Sequence, residues 1–204
     1  MVEVNRPVRT CDLDALVLAG GESRRMGSHK AFLPLGSTTV MDSVLDVLRP
    51  MFRRVLVVVR ENGTLVIPGV EVLADDRPER GPLVGLARGL AASDAPWCFV
   101  VGCDMPFLRP QVIEAMAERL GECDILALSL EGWLQPLHAF YSPRCLTAAV
   151  ELLDNGVTSI RALFRRCKLE TVTAADLAEV DPGLLSFRDL DTREEYRTAQ
   201  RLVE

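Results

Sequence analysis

Short apolar runs alternate with amphipathic segments through the first 130 residues of this chain. Val55–Val59 is an unbroken apolar run rich in β-branched residues, which is typical of a strand buried on both faces. Ala15–Leu18 and Trp97–Val101 have the same character, and Val70–Leu73 indicates a further strand. Because strands that alternate with helices form parallel sheets covered on both faces, we predict a three-layer, Rossmann-like α/β fold with a mostly parallel sheet.

The helices are predicted from apolar side chains that recur at helical spacing. Thr38 or Thr39 can cap the first helix, with Pro50 after its end, and Thr192 with Glu195 forms a capping-box pattern at the start of the last. The predicted helices are Val40–Leu48, Pro82–Ala92, Pro110–Leu120, Arg144–Leu153, Ser159–Phe164 and Thr192–Leu202. Later strands are predicted at Ile125–Leu128, Leu137–Tyr141 and Leu169–Val172.

The bulk properties of the chain exclude several classes of protein. Its 204 residues suit one domain, 1–204, with 1–12 as a frayed lead-in. A net charge of −6 argues against a nucleic-acid-binding protein. The chain has no apolar run near the roughly 20 residues that span a membrane and no apolar segment of a signal peptide, so we expect a cytoplasmic protein. Its six cysteines form no CxxC pair, which favours reduced, mostly buried thiols.

A loop rich in glycine and arginine follows the first strand, at Leu18–Lys30. Its glycines allow backbone N–H groups to approach a polyphosphate, and Arg24, Arg25 and Lys30 supply positive charge. Ligands of open α/β sheets bind beyond the carboxyl ends of the strands, where this loop lies. The spacing matches neither a Walker A loop nor a dinucleotide fingerprint. We therefore predict a phosphate-binding loop of another kind rather than a solvated turn.

Asp104 follows the strand Trp97–Val101, which places it on the same edge of the sheet as this loop. Magnesium in nucleotide sites typically uses one or two carboxylates together with substrate phosphates, so Asp104 is a candidate Mg²⁺ ligand. The alternative is that Asp104 caps the turn before Pro106. His138 lies in an apolar strand and is expected to be a core or pocket-rim residue. The cations of Arg161–Lys168 are expected to form a solvated helix face, with binding of an anionic acceptor as the alternative.

The complete loop string, Leu-Ala-Gly-Gly-Glu-Ser-Arg-Arg-Met-Gly-Ser-His-Lys, is similar to the signature of the MobA-like nucleotidyltransferases. Within that family it most resembles the guanylyltransferases that act on molybdopterin. The resemblance covers nearly the whole chain, and five further motifs occur in the family's order, the first of them Phe32-Leu33-Pro34-Leu35. The other four are Asp75 followed by Gly81-Pro82-Leu83-Val84-Gly85, then Gly102-Cys103-Asp104-Met105-Pro106, Gln135-Pro136-Leu137 and Asp189-Leu190-Asp191-Thr192.

The resemblance implies a fold of the nucleotide-diphospho-sugar transferase type and transfer of GMP from GTP to the phosphate of molybdopterin. It implies that Leu18, Ala19, Gly20 and Gly21 face the base and that Asp75 contacts the nucleotide. It further implies that Asp104 binds the catalytic Mg²⁺. Asp191 occupies the place of a second metal contact, although Asp191 and Thr192 could equally start the last helix. We assign Arg25 and Lys30 to the β- and γ-phosphates.

Two positions depart from the family pattern. His29 stands where Asp is frequent before the loop lysine, and Arg60 follows Val58-Val59 where Asn is frequent. The open alternatives are a cytidylyltransferase, a transferase for a sugar or alcohol phosphate, and a nucleotide-binding module without catalysis. The Leu-Ala-Gly-Gly form favours guanine over cytosine. The sequence leaves open whether other proteins of molybdenum cofactor biosynthesis, or its acceptor proteins, contact the chain.

Overall fold

The computed structural model describes residues 8–20, 30–60 and 66–203. The strands are β1 Asp14–Leu18, β2 Pro34–Leu35, β3 Thr38–Thr39, β4 Arg54–Val59, β5 Glu71–Ala74, β6 Cys98–Gly102, β7 Ile125–Leu130, β8 Trp133–Leu134, β9 Ala139–Tyr141 and β10 Leu169–Thr173. The helices are α1 Val40–Met51, α2 Pro82–Ala92, α3 Pro110–Ala117, α4 Cys145–Asp154 and α5 Arg193–Val203. Short 3-10 turns lie at Thr10–Asp12, Lys30–Phe32, Ile160–Arg165, Ala175–Leu177 and Leu185–Phe187.

The main sheet has the strand order β10-β7-β9-β6-β1-β4-β5, with β8 paired to β7. The pairs β1–β4, β1–β6, β4–β5 and β7–β10 are parallel, whereas β9 pairs antiparallel with both of its neighbours. The predicted mostly parallel sheet is therefore confirmed. β9 is the strand that interrupts the parallel order, because it returns directly from the β7–β8 hairpin without a crossover helix.

Two hydrophobic cores lie on opposite faces of the sheet, each between the sheet and a layer of helices, so the fold has three layers. Alternate residues of each central strand enter alternate cores, as in β4, where Val55, Val57 and Val59 pack on one face. Leu56 and Val58 pack on the other. Helices α1 and α3 bury their apolar sides against the first face, and α2 and α4 cover the second. The predicted arrangement of helices on both faces is confirmed.

Helix α1 runs through Pro50, contrary to the expectation that Pro50 follows its end. Proline lacks an N–H, but the helix still closes because the N–H of Phe52 donates to Leu48 O at 3.0 Å. The predicted cap is present: Thr39 and Asp42 form a capping box at the start of α1. Helix α3 ends at Ala117, and its last turn tightens into i→i+3 bonds, such as Leu120 N–H to Ala117 O at 3.1 Å.

Ser159–Phe164, predicted as an α-helix, is instead a 3-10 turn over Ile160–Arg165. The short pairs β2–β3 and β7–β8 were not predicted. All six cysteines are free thiols, as expected, but only Cys98, Cys123 and Cys145 are fully buried, whereas Cys103 and Cys167 are half-buried and Cys11 is exposed. In the part of the chain that the structure describes, no helix has the length and apolar character needed to span a membrane.

Candidate active site

The carboxyl ends of four neighbouring strands, β6, β1, β4 and β5, meet at one edge of the sheet. Backbone hydrogen bonds continue past the strand ends and hold the first residues of the following loops. They are Ala19 N–H to Val58 O at 2.8 Å, Asp75 N–H to Val59 O at 2.8 Å and Cys103 N–H to Leu18 O at 3.2 Å. The loop residues at this edge are therefore positioned by the rigid sheet.

A cavity of about 650 Å³ opens at this edge. It gathers residues from six separate parts of the chain, including most of those singled out from the sequence. Its lining consists of Leu18, Ala19, Gly20, Ala31, Val58, Arg60, Asp75, Arg80, Gly81, Pro82, Gly85, Gly102, Cys103, Asp104, Leu137 and Asp191. Apolar side chains and backbone thus form most of its wall, with three carboxylates and two guanidinium groups among them, which is typical of a ligand pocket.

Asp104 is held against the end of β6. A Cβ added to Gly102 would lie 2.5 Å from Asp104 Oδ1, so the carboxylate occupies space that only glycine leaves open. The backbone O of Asp104 accepts the N–H of Leu190 at 2.9 Å. This bond ties the segment preceding α5 to the end of β6 and brings Asp191 to the same cavity. The two predicted metal carboxylates therefore share one cavity although 87 positions separate them.

Asp75 lies at the opposite end of the cavity wall, after β5. A Cβ added to Gly20 would lie 3.8 Å from Asp75 Oδ2 and 3.8 Å from the backbone N of Arg60, so these three residues converge. Asp75 Oδ1 is buried and has no hydrogen-bond partner among the described residues. Burial raises the pKa of this carboxyl, and the positive charges of Arg60 and Arg88 act against that rise.

The amino end of α2 also borders the cavity, through Gly81 and Pro82. Gly81 has φ +151°, and a Cβ there would lie 2.6 Å from Cβ of Thr158. The N–H of Leu83 donates to Thr158 O at 3.1 Å. That helix end is therefore fixed by the chain after α4, and one of its first N–H groups already has a protein acceptor.

Most of the predicted phosphate loop lies outside the described residues. Gly21, Arg24, Arg25 and His29 fall in the range 21–29, which the structure does not describe. Lys30 begins the 3-10 turn Lys30–Phe32, of which Ala31 lines the cavity. The described residues on either side of the range 21–29, Gly20 and Ala31, therefore both lie in the cavity wall.

Arg80 is a cavity residue that the sequence did not single out. Its signal was its position, because it directly precedes the Gly81-Pro82 pair that starts α2. Leu137 was noted only as part of the Gln135-Pro136-Leu137 motif, and it lines the cavity at the end nearest Gly102. Arg88 lies 3.9 Å from Asp76 Oδ2, and its positive charge also acts on the Asp75 carboxyl.

His138 is completely buried, as expected of a core residue. Its Nε2 lies 2.8 Å from Ser186 Oγ, and its ring contacts Phe99 and Phe187. Burial lowers the pKa of His138 to about 4, so the ring is neutral. Asp181 accepts the N–H of Ser186 rather than a bond from the imidazole, so these buried residues do not form a catalytic triad.

A second cavity of about 340 Å³ lies beside the β7–β8 hairpin, lined by Trp133, Leu184, Phe187 and Arg161 among others. Trp133 is 75% exposed. Arg161 and the other cations of the run Arg161–Lys168 are exposed, which agrees with a solvated face. Arg166 pairs with Glu151.

Comparisons with known proteins agree with this geometry. The sequence model of the MobA-like NTP transferase domain matches residues 15–180. A molybdenum cofactor guanylyltransferase of Desulfosudis oleivorans is 34% identical, and the match covers 92% of this chain and 94% of the relative. A probable molybdenum cofactor guanylyltransferase of Pelotomaculum thermopropionicum is 31% identical over 93% of this chain and 92% of the relative. The crystal structure of molybdopterin-guanine dinucleotide biosynthesis protein A from Archaeoglobus fulgidus shares the fold, with a TM-score of 0.80, 24% identity, and coverage of 93% and 97%.

Proposed function

Because the chain belongs to the MobA-like NTP transferase family, we propose that it transfers GMP from GTP to the phosphate of molybdopterin and releases pyrophosphate. The observation that carries this proposal is the single cavity that joins Gly20, Asp75, Asp104 and Asp191 at the carboxyl edge of the sheet. The names of the relatives from Desulfosudis and Pelotomaculum support both the guanine base and the molybdenum cofactor as acceptor.

Asp104 and Asp191 are the residues that would hold Mg²⁺. Their chemistry fits this ion, because two carboxylates that leave room for phosphate oxygens and water are a typical Mg²⁺ donor set. Among the described residues no cluster of three His, Cys, Asp or Glu side chains forms a metal cage, so the phosphates of the substrate would complete the coordination. Bound there, the ion would neutralise charge on the triphosphate and would stabilise the charge that develops during transfer.

In the proposed reaction, an oxygen of the acceptor phosphate forms a bond to the α-phosphorus of GTP. The bond from that phosphorus to the bridging oxygen breaks, and pyrophosphate leaves with the bonding electrons. A terminal phosphate is already ionised near neutral pH, since its second pKa is about 6. The acceptor therefore needs no general base, and the protein contributes alignment and electrostatic stabilisation.

The loop after β1 is proposed to bind the β- and γ-phosphates through Arg25 and Lys30. An arginine can bind phosphate through two parallel hydrogen bonds, whereas lysine acts as a point charge. The support for these two roles is the loop sequence and the placement of its two ends, Gly20 and Ala31, in the cavity wall. Replacing Lys30 with Ala is expected to lower turnover by a factor on the order of 10²–10³.

The test is a pyrophosphate-release assay with Mg²⁺ and molybdopterin, run separately with GTP, CTP, ATP and UTP. The proposal expects release with GTP that requires both the acceptor and the metal. Omission of Mg²⁺, or addition of a chelator, should stop the release.

The same assay distinguishes the alternatives. Release with CTP alone would indicate a cytidylyltransferase, and release with a sugar or alcohol phosphate but not molybdopterin would assign another acceptor. Nucleotide binding without pyrophosphate release from any pair would indicate a non-catalytic binding module. Each of these results contradicts the proposal.

A further inference from the structure

Two cysteines that the proposed reaction does not use lie together on the face of the sheet that α2 and α4 cover. Cys145 is the first residue of α4 and is completely buried. Cys167 follows the 3-10 turn Ile160–Arg165 and is half-buried. Both pack in the same hydrophobic core, whereas Cys123 belongs to the core on the opposite face. The fold therefore brings together two thiols that are far apart in the sequence.

Asp124, the residue before β7, anchors the chain beside each of these cysteines. Its backbone N–H donates to Lys168 O at 2.7 Å, and its Oδ2 accepts the N–H of Lys168 at 2.9 Å. Its Oδ1 pairs with Nε of Arg144 at 2.8 Å. Its backbone O accepts a hydrogen bond from Cys145 Sγ at 3.3 Å. The chain neighbours of both cysteines are thus bonded to one residue, so the fold itself sets where the two thiols lie.

The two thiols also interact directly, because the side chains of Cys145 and Cys167 are hydrogen bonded to each other. The bond from Cys145 lowers the pKa of the Cys167 thiol, with help from the charge of Arg166 and against the effect of burial. The same bond, together with burial, raises the pKa of Cys145. Because the thiolate is the nucleophile, Cys167 should react first, and it is also the more exposed of the two.

We propose that Cys145 and Cys167 are a redox-active dithiol, which low-molecular-weight disulfides such as glutathione disulfide convert to an intramolecular disulfide that stabilises the fold. The Cys167 thiolate attacks one sulfur of the small disulfide, whose S–S bond breaks, and one small thiolate leaves. The Cys145 thiolate then attacks the Cys167 sulfur, and the second small thiolate leaves with the electrons of the broken mixed disulfide. The leaving thiolates take up the two protons that the cysteines release.

The disulfide would close a ring of chain that contains Thr158. Thr158 O accepts the N–H of Leu83 at 3.1 Å, and a Cβ added to Gly81 would lie 2.6 Å from Cβ of Thr158. The ring would therefore include the contact that fixes the amino end of α2. Because a cross-link restricts the unfolded chain, oxidation should raise the melting temperature on the order of 5–10 °C.

The test treats the purified full chain with glutathione disulfide and then alkylates the remaining thiols under denaturing conditions. Mass spectrometry of the peptides should show one bridge, between Cys145 and Cys167, with Cys98 and Cys123 alkylated. The melting temperature of the oxidised protein should be raised. Dithiothreitol should remove both the bridge and the rise in melting temperature.

Variants separate the roles of the two thiols. Cys145→Ala lacks the second thiol and should stop at the mixed disulfide, with one glutathione on Cys167. Cys145→Ser serves the same purpose if the alanine variant does not fold, because its hydroxyl can keep the bond to Asp124 O. Cys167→Ser should form no bridge and take up no glutathione at the buried Cys145. Cys11→Ser, which alters an exposed thiol, is the matched control and should form the bridge as the wild type does.

Absence of the bridge at a glutathione disulfide concentration that modifies the exposed Cys11 would overturn the proposal. A bridge that joins either cysteine to a different one would also overturn it. A correct bridge that left the melting temperature unchanged would refute the stabilising effect. None of these readouts involves pyrophosphate release, so the proposed function stands or falls separately.

Discussion

Asp104 is positioned by its surroundings on two sides: its Oδ1 lies over the bare Cα of Gly102, and its backbone O accepts the N–H of Leu190. Replacing it with Asn keeps the shape but removes the charge proposed to hold the metal. Asp104→Asn should therefore lower turnover in the pyrophosphate assay by a factor on the order of 10²–10³. Its melting temperature should stay close to that of the wild type.

The matched control is Asp46→Asn, a change on the exposed side of α1, where Asp46 pairs only with Arg49 among the described residues. It should keep wild-type turnover. Near wild-type turnover in Asp104→Asn would refute the assigned role, and loss of the fold in that variant would show that the residue is structural.

The buried His138 makes stability depend on pH. Burial lowers its pKa from 6.5 to about 4, so between these values the unfolded chain binds a proton that the folded protein does not. The stabilising contribution is therefore complete above pH 6.5 and is lost as the pH falls toward 4. Lowering the pH from 7 to 5 should cost about 2 kcal/mol through this group alone.

His138→Asn tests this effect in urea unfolding at pH 7 and pH 5. Asn tolerates the positive φ of 56° at this position, which limits the strain of the substitution. Other titrating groups act in both proteins, so the difference in pH dependence isolates His138. The variant should lose about 2 kcal/mol less than the wild type between the two pH values. An equal loss in both would show that His138 does not carry the effect.

Among the elements, β6 matters most for the proposed reaction, because its last residue, Gly102, contacts the proposed metal ligand Asp104. The backbone of Gly102 lies outside the left-handed region, so alanine fits its conformation, but the added Cβ would meet Asp104 Oδ1 at 2.5 Å. The carboxylate at the tip of a side chain can turn away at small cost in stability. Because displacements of about 1 Å can cost a hundredfold in rate, Gly102→Ala should lower turnover about a hundredfold with little change in melting temperature.

Gly121→Ala is the matched glycine control, because a Cβ there would have no heavy atom within 4 Å. It should leave turnover and melting temperature unchanged. Wild-type turnover in Gly102→Ala would mean that the position of Asp104 is not critical. A large fall in melting temperature would mean that β6, rather than the carboxylate, had moved.

The elements that the sequence predicted best are those with a strong local cause. The buried strands had continuous apolar runs, and α2 was predicted with its observed bounds from Pro82 and its apolar side. The pair β7–β8 was missed because β8 has two residues and its turn uses positive φ at Glu131 and Gly132, a sequence that is not a strong turn signal. The end of α1 was predicted too early, because Pro50 was read as a helix stop. The helix tolerates this proline because the next hydrogen bond, from Phe52 N–H to Leu48 O, still forms.

The residues of the site likewise divide into those with a local sequence signal and those without one. Asp104 was predictable because an acidic residue after a buried strand must lie at the carboxyl edge. Arg80 was not, because its arrival at the cavity depends on the path of the chain between β5 and α2, which has no periodic pattern. The convergence of Arg60, Asp75 and Gly20 needs three loops at once and became visible only in the folded chain.

In the molecule as a whole, a buried ion-pair cluster lies at the amino end of β1, and the proposed active site lies at the opposite, carboxyl end. Asp14, at the amino end of β1, is completely buried. It accepts two bonds from Arg53, both at 3.0 Å, and one from Ser93 Oγ at 2.7 Å. Leu18, at the other end of the same strand, lines the cavity about 13 Å away, by the rise of four strand residues.

This separation predicts that damage at Asp14 lowers stability without changing the site. Asp14→Asn removes the buried charge that pairs with Arg53 and leaves Arg53 with Asp94 as its charged partner, which should lower the melting temperature on the order of 5–10 °C. Ser93→Ala removes a single donor and should lower it less. Both variants, assayed well below their melting temperatures, should keep the wild-type dissociation constant for GTP. Weakened binding by folded Asp14→Asn would show that the two ends of β1 are coupled, and an unchanged melting temperature would show that this buried ion pair does not stabilise the sheet.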